Sequence, residues 1–593
     1  MKDMVSAIVS AAVEAAIEAG ELPSLAAVAT VDEAAELPGA EVPVAAVATG
    51  VPAWAVDPER PRDPAHGDWA TAIALRNAKA AGLAPRALAE VIVHHLEEHP
   101  DVARVEVAGP GFINLSLSTA ALARVVEQAR ELKDRFGQGA PKGEYVQVEF
   151  VSANPVGPMH VGHGRWAALG DALCLVMEHA GYRIQREFLL NDEGNQMNVF
   201  ADSVAERYLE LCGEAFDEGA IGYKGAYIRD IAAQIVEAEG DAWVAASADE
   251  RRAYFRQRSY DQVLTHMKAV LERFGVVFDV WFSEHTLHVP DDEGKTAIER
   301  SVEGLREKGY IFDEDGAVWF RATEFGDDKD RVLMKSDGAA TYFAADIAYH
   351  DDKFKRGFDL VINLWGADHH GYIQRMKAGV AALGYPEQLE ILLGQLVTLY
   401  RDGQLVRMSK RTGEMVTFEE LIDEVGADAA RYHLVRISSD QQLAFDIDQA
   451  KDQSSNNPVY YVQYAHARIC SILRKAAGRS GEDEADVDAL AAAAVGENGA
   501  DLSLLSDDAE IALMRKLSEF TEVVERAARD RAPFRLTHYA EELAAGLHQF
   551  YGRCQVLGDD EALTRARLAL IDATRHTLAN ALRLIGVGAP KHM

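Results

Sequence analysis

Only four cysteines occur in 593 residues (Cys174, Cys212, Cys470 and Cys554), and no two stand in a C-x-x-C pair. Neither a disulfide framework nor a cysteine-built zinc site is implied, and the cytoplasm is the expected compartment. No apolar run reaches the ~18–20 residues that a membrane helix requires. The amino terminus, MKDMVSAIVSAAVEAAIEAG, is apolar but carries Asp3, Glu14 and Glu18 at helical spacing, so it reads as an amphipathic helix and not a signal peptide. Basic residues are scarce too: 60 Lys and Arg stand against 95 Asp and Glu, a net charge of −35. Phosphate contacts need Lys and Arg, so this deficit argues against a general nucleic-acid binder. One cognate nucleic acid can still be held by a local basic patch while the overall repulsion suppresses non-specific association. The length exceeds what one core normally supports and predicts several domains.

The most informative stretch runs from Gln147 to Trp166, QVEFVSANPVGPMHVGHGRW. Val146, Val148 and Phe150 alternate as in a buried strand. Asn154-Pro155 and Gly157-Pro158 turn the chain. From His160 on, apolar residues recur three to four apart, which places His160 and His163 on a first helical turn just past a strand end. Backbone N–H groups and the helix dipole favour phosphate there. Gly162 and Gly164 leave room for an anion against the backbone, and two imidazoles can donate to a phosphate that gains charge in a transition state. On these residues alone the pair could equally be surface or core histidines, and without a Cys or Glu partner a zinc pair is weak. A second segment, Val406–Gly413 (VRMSKRTG), offers Met408, Ser409 and Lys410.

His-Val-Gly-His after a strand, followed much later by Met-Ser-Lys, resembles the two ATP signatures of class I aminoacyl-tRNA synthetases. The usual Lys-Met-Ser-Lys-Ser departs here at Arg407 and Arg411, while the second lysine is kept as Lys410. The resemblance implies that His160, His163 and Lys410 carry catalysis. It assigns ATP to Pro158, His160, Gly162, His163, Met408, Ser409 and Lys410, with Gly366, Asp368 and His369 as the element that holds adenosine. The bare residues of that last group also suit a tight turn with a capping Asp. Tyr342 and Asp346 lie one helical turn apart. A carboxylate at 346 could take a guanidinium in a two-pronged pair that lysine cannot copy, or it could pair on the surface with Lys353 or Arg356.

LMKSDGAATYFAADIAYH resembles the arginine-binding segment of arginyl-tRNA synthetases. That likeness maps Glu149, Ser152, Asn154, His163, Tyr342, Asp346 and Gln374 onto an arginine pocket. GDWATAIAL…VEVAGPGFINLSLS resembles that family's amino-terminal domain. GADAARYHLVRISSD with NNPVYYVQYAHARI resembles the entry to its anticodon-binding bundle, where Tyr460, Tyr461, Tyr464, His466 and Arg468 offer stacking faces and a cation for splayed bases. Some of those tyrosines could be core instead. The likeness spans nearly the whole chain.

The expected architecture is multidomain α/β. An α+β module (1–125, with a linker-like stretch at 31–66) precedes a Rossmann-like catalytic domain (126–425, with an insertion at 200–330), and an all-α bundle (426–593) follows. Residues 480–507 read as a flexible loop, LEILLGQLVTLY as one strand, and the segment after 426 as nearly all helix. The family implies an arginine–tRNA ligase that uses ATP with Mg2+ as substrate complex, carries no structural metal, and acts on L-arginine and tRNA(Arg). It also implies a cytoplasmic monomer that needs bound tRNA before it activates the amino acid. A small-molecule nucleotidyltransferase would share the H-x-G-H seat but would need neither terminal module. A class I synthetase for cysteine would need a zinc set near the pocket, and a catalytically dead tRNA-binding paralogue would have no use for His160, His163 and Lys410.

Overall fold

The structure is a computed structural model that describes residues 1–24, 54–61, 63–406, 416–479, 486–496 and 499–593. Its centre is a five-stranded parallel sheet in the spatial order Leu389–Gly394, Leu360–Gly366, Tyr145–Glu149, Arg183–Leu190, Val280–Ser283. Val146, Val148, Phe188, Leu190, Val361 and Ile362 are all buried, as strands covered on both faces require. From Tyr145–Glu149 the chain goes outward on one side to Arg183–Leu190 and later returns on the other side to Leu360–Gly366. The strand order therefore reverses beside Glu149, and in open α/β sheets ligands sit at the carboxyl ends of the strands at such a switch.

Around this sheet lie three further parts. Residues 69–71, 102–108 and 112–117 form a small antiparallel sheet against the helices Ile73–Ala81 and Pro85–Glu97, and Lys2–Glu18 packs on Pro85–Glu97. Helices Asn195–Leu211, Ala226–Glu239 and Ala248–Arg273 form the body of the expected insertion, and a hairpin (Ile311–Glu314, Ala317–Phe320) turns at Asp315-Gly316 as read from the sequence. The carboxy-terminal part is helical. Its long members, Pro458–Ala476, Phe534–Arg553 and Glu561–Arg583, pack together by apolar stripes spaced three and four apart.

Several expectations need correcting. The 200–330 block is not wholly an insertion, because Val280–Ser283 pairs with Arg183–Leu190 as an edge of the central sheet. LEILLGQLVTLY is two strands: Leu389–Gly394 ends the central sheet, and Val397–Arg401 belongs to a small sheet with Gln404–Leu405 and Leu443–Asp446. The stretch after 426 is thus interrupted by a strand whose Leu443 and Phe445 face inward. Within 480–507 a helix forms at Val487–Val495, with Val487, Ala491 and Val495 buried. Residues 54–61 are tied to the fold, not linker-like: Glu59 pairs with Ala70, and Arg60 bonds Glu522 and Ser518 of the helical part. Of the 31–66 stretch, residues 31–53 and 62 lie outside the described residues.

Candidate active site

Past Glu149 the backbone leaves the sheet through Val151 (φ 70) and Ser152 (φ 42). Left-handed backbone is costly for a β-branched residue. It folds Ser152 back so that its hydroxyl donates to Glu149 Oε1 at 2.9 Å and accepts from the Leu189 amide at 3.2 Å. The loop 153–159 follows, and then His160 caps the helix Val161–His179. The capping is reciprocal. The His163 amide donates to His160 Nδ1 (3.4 Å) and the His160 amide to His163 Nδ1 (3.2 Å), while the two rings stack at 3.7 Å. Each Nδ1 is therefore an acceptor, which places the ring proton on Nε2. Two imidazoles held with the ring proton on Nε2 at a helix N-terminus are of a kind that can donate to anionic oxygens.

The glycines of the motif have distinct reasons. A Cβ at Gly162 would lie 2.8 Å from the His160 ring, and one at Gly164 2.4 Å from the Phe418 ring. Phe418 follows Thr417, which bridges to His160, and the Phe418 amide donates to the Met159 carbonyl at 2.9 Å. The chain just after residue 415 is thus stitched to the histidine pair. Met408, Ser409 and Lys410, with Arg407 and Arg411, lie outside the described residues. Next to the motif, Arg165 is fully buried and donates to the carbonyls of Gln395 (2.7 Å), Gln441 (2.9 Å) and Ser438 (3.0 Å). Burial lowers its guanidinium to about 10 from the usual value, partly opposed by Asp440.

A second group of side chains is charged. Asp346, on the helix Tyr342–Lys355, accepts a hydrogen bond from the Tyr372 hydroxyl at 2.5 Å. Burial pushes its carboxyl up to about 6, helped by the nearby Glu149 charge and opposed by Tyr372 and Lys353. Neither surface pairing considered from the sequence occurs: Lys353 bonds Glu149 (2.6 Å), and Arg356 bonds Glu187 (2.6 Å) and Asp352 (3.0 Å). Glu284, which the sequence reading missed, follows the strand Val280–Ser283. Burial pushes it up to about 7, and the charges of Asp346, Asp192 and Glu193 add to the shift. Two carboxyls pushed up by burial, with the Asp346 charge adding to the shift of Glu284, make a sheltered site suited to a cation. No sequence signal marks Glu284, since Ser-Glu-His is an ordinary tripeptide.

The remaining expected residues fall in three groups. Glu149 is buried and shared between Lys353 and Ser152, and Lys353 also reaches Asn363 Oδ1 at 3.1 Å. Asn154 is exposed and donates to Gln196 (2.8 Å), Gln374 lies against Gly326, and Tyr342 is 80% exposed, an uncovered ring at the mouth of the Asp346 helix. Gly366 ends its strand, with Pro158 half-buried on the loop before His160. The Asp368 carboxylate folds back over Gly366, with His369 Nε2 3.7 Å from it. His160, Glu284, Gly366 and Tyr372 all follow carboxyl ends of the parallel strands, so one rim of the sheet carries the donor pair and the carboxylate pair. Among the described residues no group of His, Cys, Asp and Glu is arranged to hold a metal ion.

On the helix Pro458–Ala476, Tyr460 and Tyr464 stack with ring centroids 6.3 Å apart; Tyr464 and Arg468 are exposed and Tyr460 and Tyr461 half-buried. His466 is a correction. It is 3% exposed and bonded to the Pro590 carbonyl at 2.8 Å, so it cannot meet a base. Burial lowers it to about 4, which keeps it neutral.

Family models match three consecutive parts of the chain: "Arginyl tRNA synthetase N terminal domain" at 48–117, "tRNA synthetases class I (R), catalytic domain" at 126–471, and "DALR anticodon binding domain" at 462–593. The arginine–tRNA ligase of Heliobacterium modesticaldum is 48% identical over 539 residues, 90% of this chain and 93% of that one. That of Bacillus subtilis is 46% identical over 539 residues, 90% and 94% respectively. Among solved structures, the arginyl-tRNA synthetase of Thermus thermophilus shares the fold over all of both chains, with a TM-score of 0.69 at 22% identity.

Proposed function

The chain belongs to the arginyl-tRNA synthetase family and is an arginine–tRNA ligase of class I; from that premise we propose how its residues divide the work. ATP, as its Mg2+ complex, lies along the rim with its phosphates at His160 and His163 and its adenosine near Gly366, Asp368 and His369. The arginine carboxylate attacks the α-phosphate, forming an acyl–phosphate bond, and pyrophosphate leaves. No protein nucleophile is needed, because positioning and charge stabilisation carry the step. The two Nε2–H groups donate to oxygens that gain charge, and Lys410 reaches the leaving phosphates as a point charge. The terminal adenosine hydroxyl of tRNA(Arg) then attacks the acyl carbon and AMP departs.

Arginine is held by its guanidinium between Asp346 and Glu284, with Tyr342 closing over it and Glu149, Ser152, Asn154 and Gln374 around its amino and carboxylate groups. The observation that carries this reading is the pair of sheltered carboxylates on the same rim as the locked histidines. A planar cation with two donor edges satisfies both, which a lysine ammonium does not. Tyr460, Tyr461, Tyr464 and Arg468 receive anticodon bases. The protein works as a monomer in the cytoplasm.

Charging of bulk tRNA with each labelled amino acid in turn tests the substrate assignment: arginine alone is expected to be incorporated, and charging with any other amino acid at a comparable rate overturns it. Arginine-dependent exchange of pyrophosphate into ATP is expected near background without tRNA and restored by tRNA whose terminal adenosine cannot be charged. In Tyr464→Ala the KM for tRNA should rise by the equivalent of about 1–3 kcal/mol, while arginine activation at saturating tRNA holds.

A further inference from the structure

The loop that delivers the chain from the sheet to His160 has little means of holding itself. Pro155 and Pro158 have no amide to donate, and the Val156 amide is used locally, on the Asn154 carbonyl at 2.9 Å. Two side chains from the helices beyond residue 195 supply what the loop lacks. Gln196 accepts from Asn154 Nδ2 at 2.8 Å, and the Tyr227 hydroxyl donates to the Val156 carbonyl at 3.0 Å. Tyr227 also limits the loop sterically, because its ring lies so close over Gly157 that a Cβ there would sit 2.8 Å from Cζ. Tyr227 is itself fixed. It stands in the first turn of the helix Ala226–Glu239, and its ring runs so tightly past Gly225 that a Cβ there would be 2.4 Å from Cε1. One side chain of the helical block therefore both bonds and covers the two residues directly before Pro158.

We propose that Tyr227 is a positioning residue for the nucleotide seat: through the Val156 carbonyl and the Gly157 backbone it fixes where the 154–158 loop places Pro158 and His160. The inference rests on the reading of His160 and His163 as the phosphate site. It makes the helical block part of the ATP site, although that block supplies none of the residues assigned to the nucleotide. Tyr227→Phe removes the Tyr227 donor to the Val156 carbonyl while keeping the ring over Gly157, so it loosens the loop without opening a cavity.

The test measures steady-state constants for ATP and arginine on the full chain with saturating tRNA, beside a melting curve. Tyr227→Phe is expected to lower kcat/KM for ATP about tenfold, as for a half-buried acceptor left unpaired, with the KM for arginine within about twofold and the melting temperature nearly unchanged. Tyr227→Leu, which uncovers Gly157 as well, should deepen the ATP defect and leave arginine binding alone. Unchanged ATP constants in Tyr227→Phe, or ATP and arginine constants that move together with a lower melting temperature, overturn the proposal. His160→Asn is the reference. If it impairs ATP use and Tyr227→Phe does not, only the positioning role fails; if His160→Asn leaves ATP use intact, the phosphate seat and this proposal fall together.

Discussion

The histidine pair and the carboxylate pair share one rim of the same sheet, yet they are built from different forces. His160 and His163 are rings held by each other's backbone amides, three residues apart, within a single helical turn. Asp346 and Glu284 are carboxyls brought together from separate elements, both pushed up by burial, with the Asp346 charge adding to the shift of Glu284. A local, hydrogen-bonded arrangement is preorganised whether or not the substrate is present. A pair of like charges is completed only by a cation. The nucleotide end should therefore respond to geometry and the arginine end to charge.

Asp346→Asn should cut that contrast most deeply. A guanidinium facing a neutral amide loses a charge-assisted pair, and kcat/KM for arginine should fall by about 2–5 kcal/mol, roughly 30-fold to several thousandfold, with the KM for ATP nearly unaltered. Equal loss for both substrates would erase the distinction between the two ends. Next in size, Lys410→Ala should slow activation by at most about 2.7–4 kcal/mol, less to the extent that Arg407 and Arg411 substitute for it. Its signature is a lower kcat with little change in arginine affinity, because the phosphate contacts strengthen only as pyrophosphate leaves. A variant that loses arginine affinity while activating at full rate would contradict the role given to Lys410.

The gentlest probe is pH. Burial pushes Glu284 up to about 7 and Asp346 up to about 6. Protonation removes the negative partners of the guanidinium, so the KM for arginine should rise as pH falls from about 8 to about 6, roughly tenfold, while the KM for ATP moves far less. The stability of the empty protein has the opposite sign. Both carboxyls sit above their unfolded values, so the native state holds more protons, and their contribution to stability is lost as pH rises through 6 and 7. Added arginine should then raise the melting temperature more at about pH 8 than at about pH 6. An arginine KM that is flat across this range would show that neither carboxyl binds the substrate.

The same contrast explains which parts could be read from the chain alone. The histidine pair was legible because its chemistry is local: strand, turn, cap and helix lie within twenty consecutive residues. Asp346 was legible only through family likeness, and its two surface alternatives failed because Glu149 and Glu187 claim Lys353 and Arg356 from across the sheet. Glu284 and Tyr372 stayed hidden, since they meet Asp346 only once the strands Val280–Ser283 and Leu360–Gly366 are in place. The break between Leu389–Gly394 and Val397–Arg401 is marked only by the lone Gly394, an isolated glycine that a continuous strand also tolerates as a bulge. His466 could have been excluded by spacing. Tyr460, Tyr464 and Arg468 repeat every four residues along one helix face, and His466 falls between them on the other side.

Arg165 ties the active-site helix to carbonyls 230, 273 and 276 residues further along. During synthesis the helix Val161–His179 is therefore complete long before anything exists that can close its guanidinium. Burying that cation early would cost several kcal/mol, so the helix cannot settle against its final neighbours until residue 441 has left the ribosome. The histidine pair next to it is thus encoded early and seated late, and a chain released before that point ends with the helix Val161–His179 unmoored.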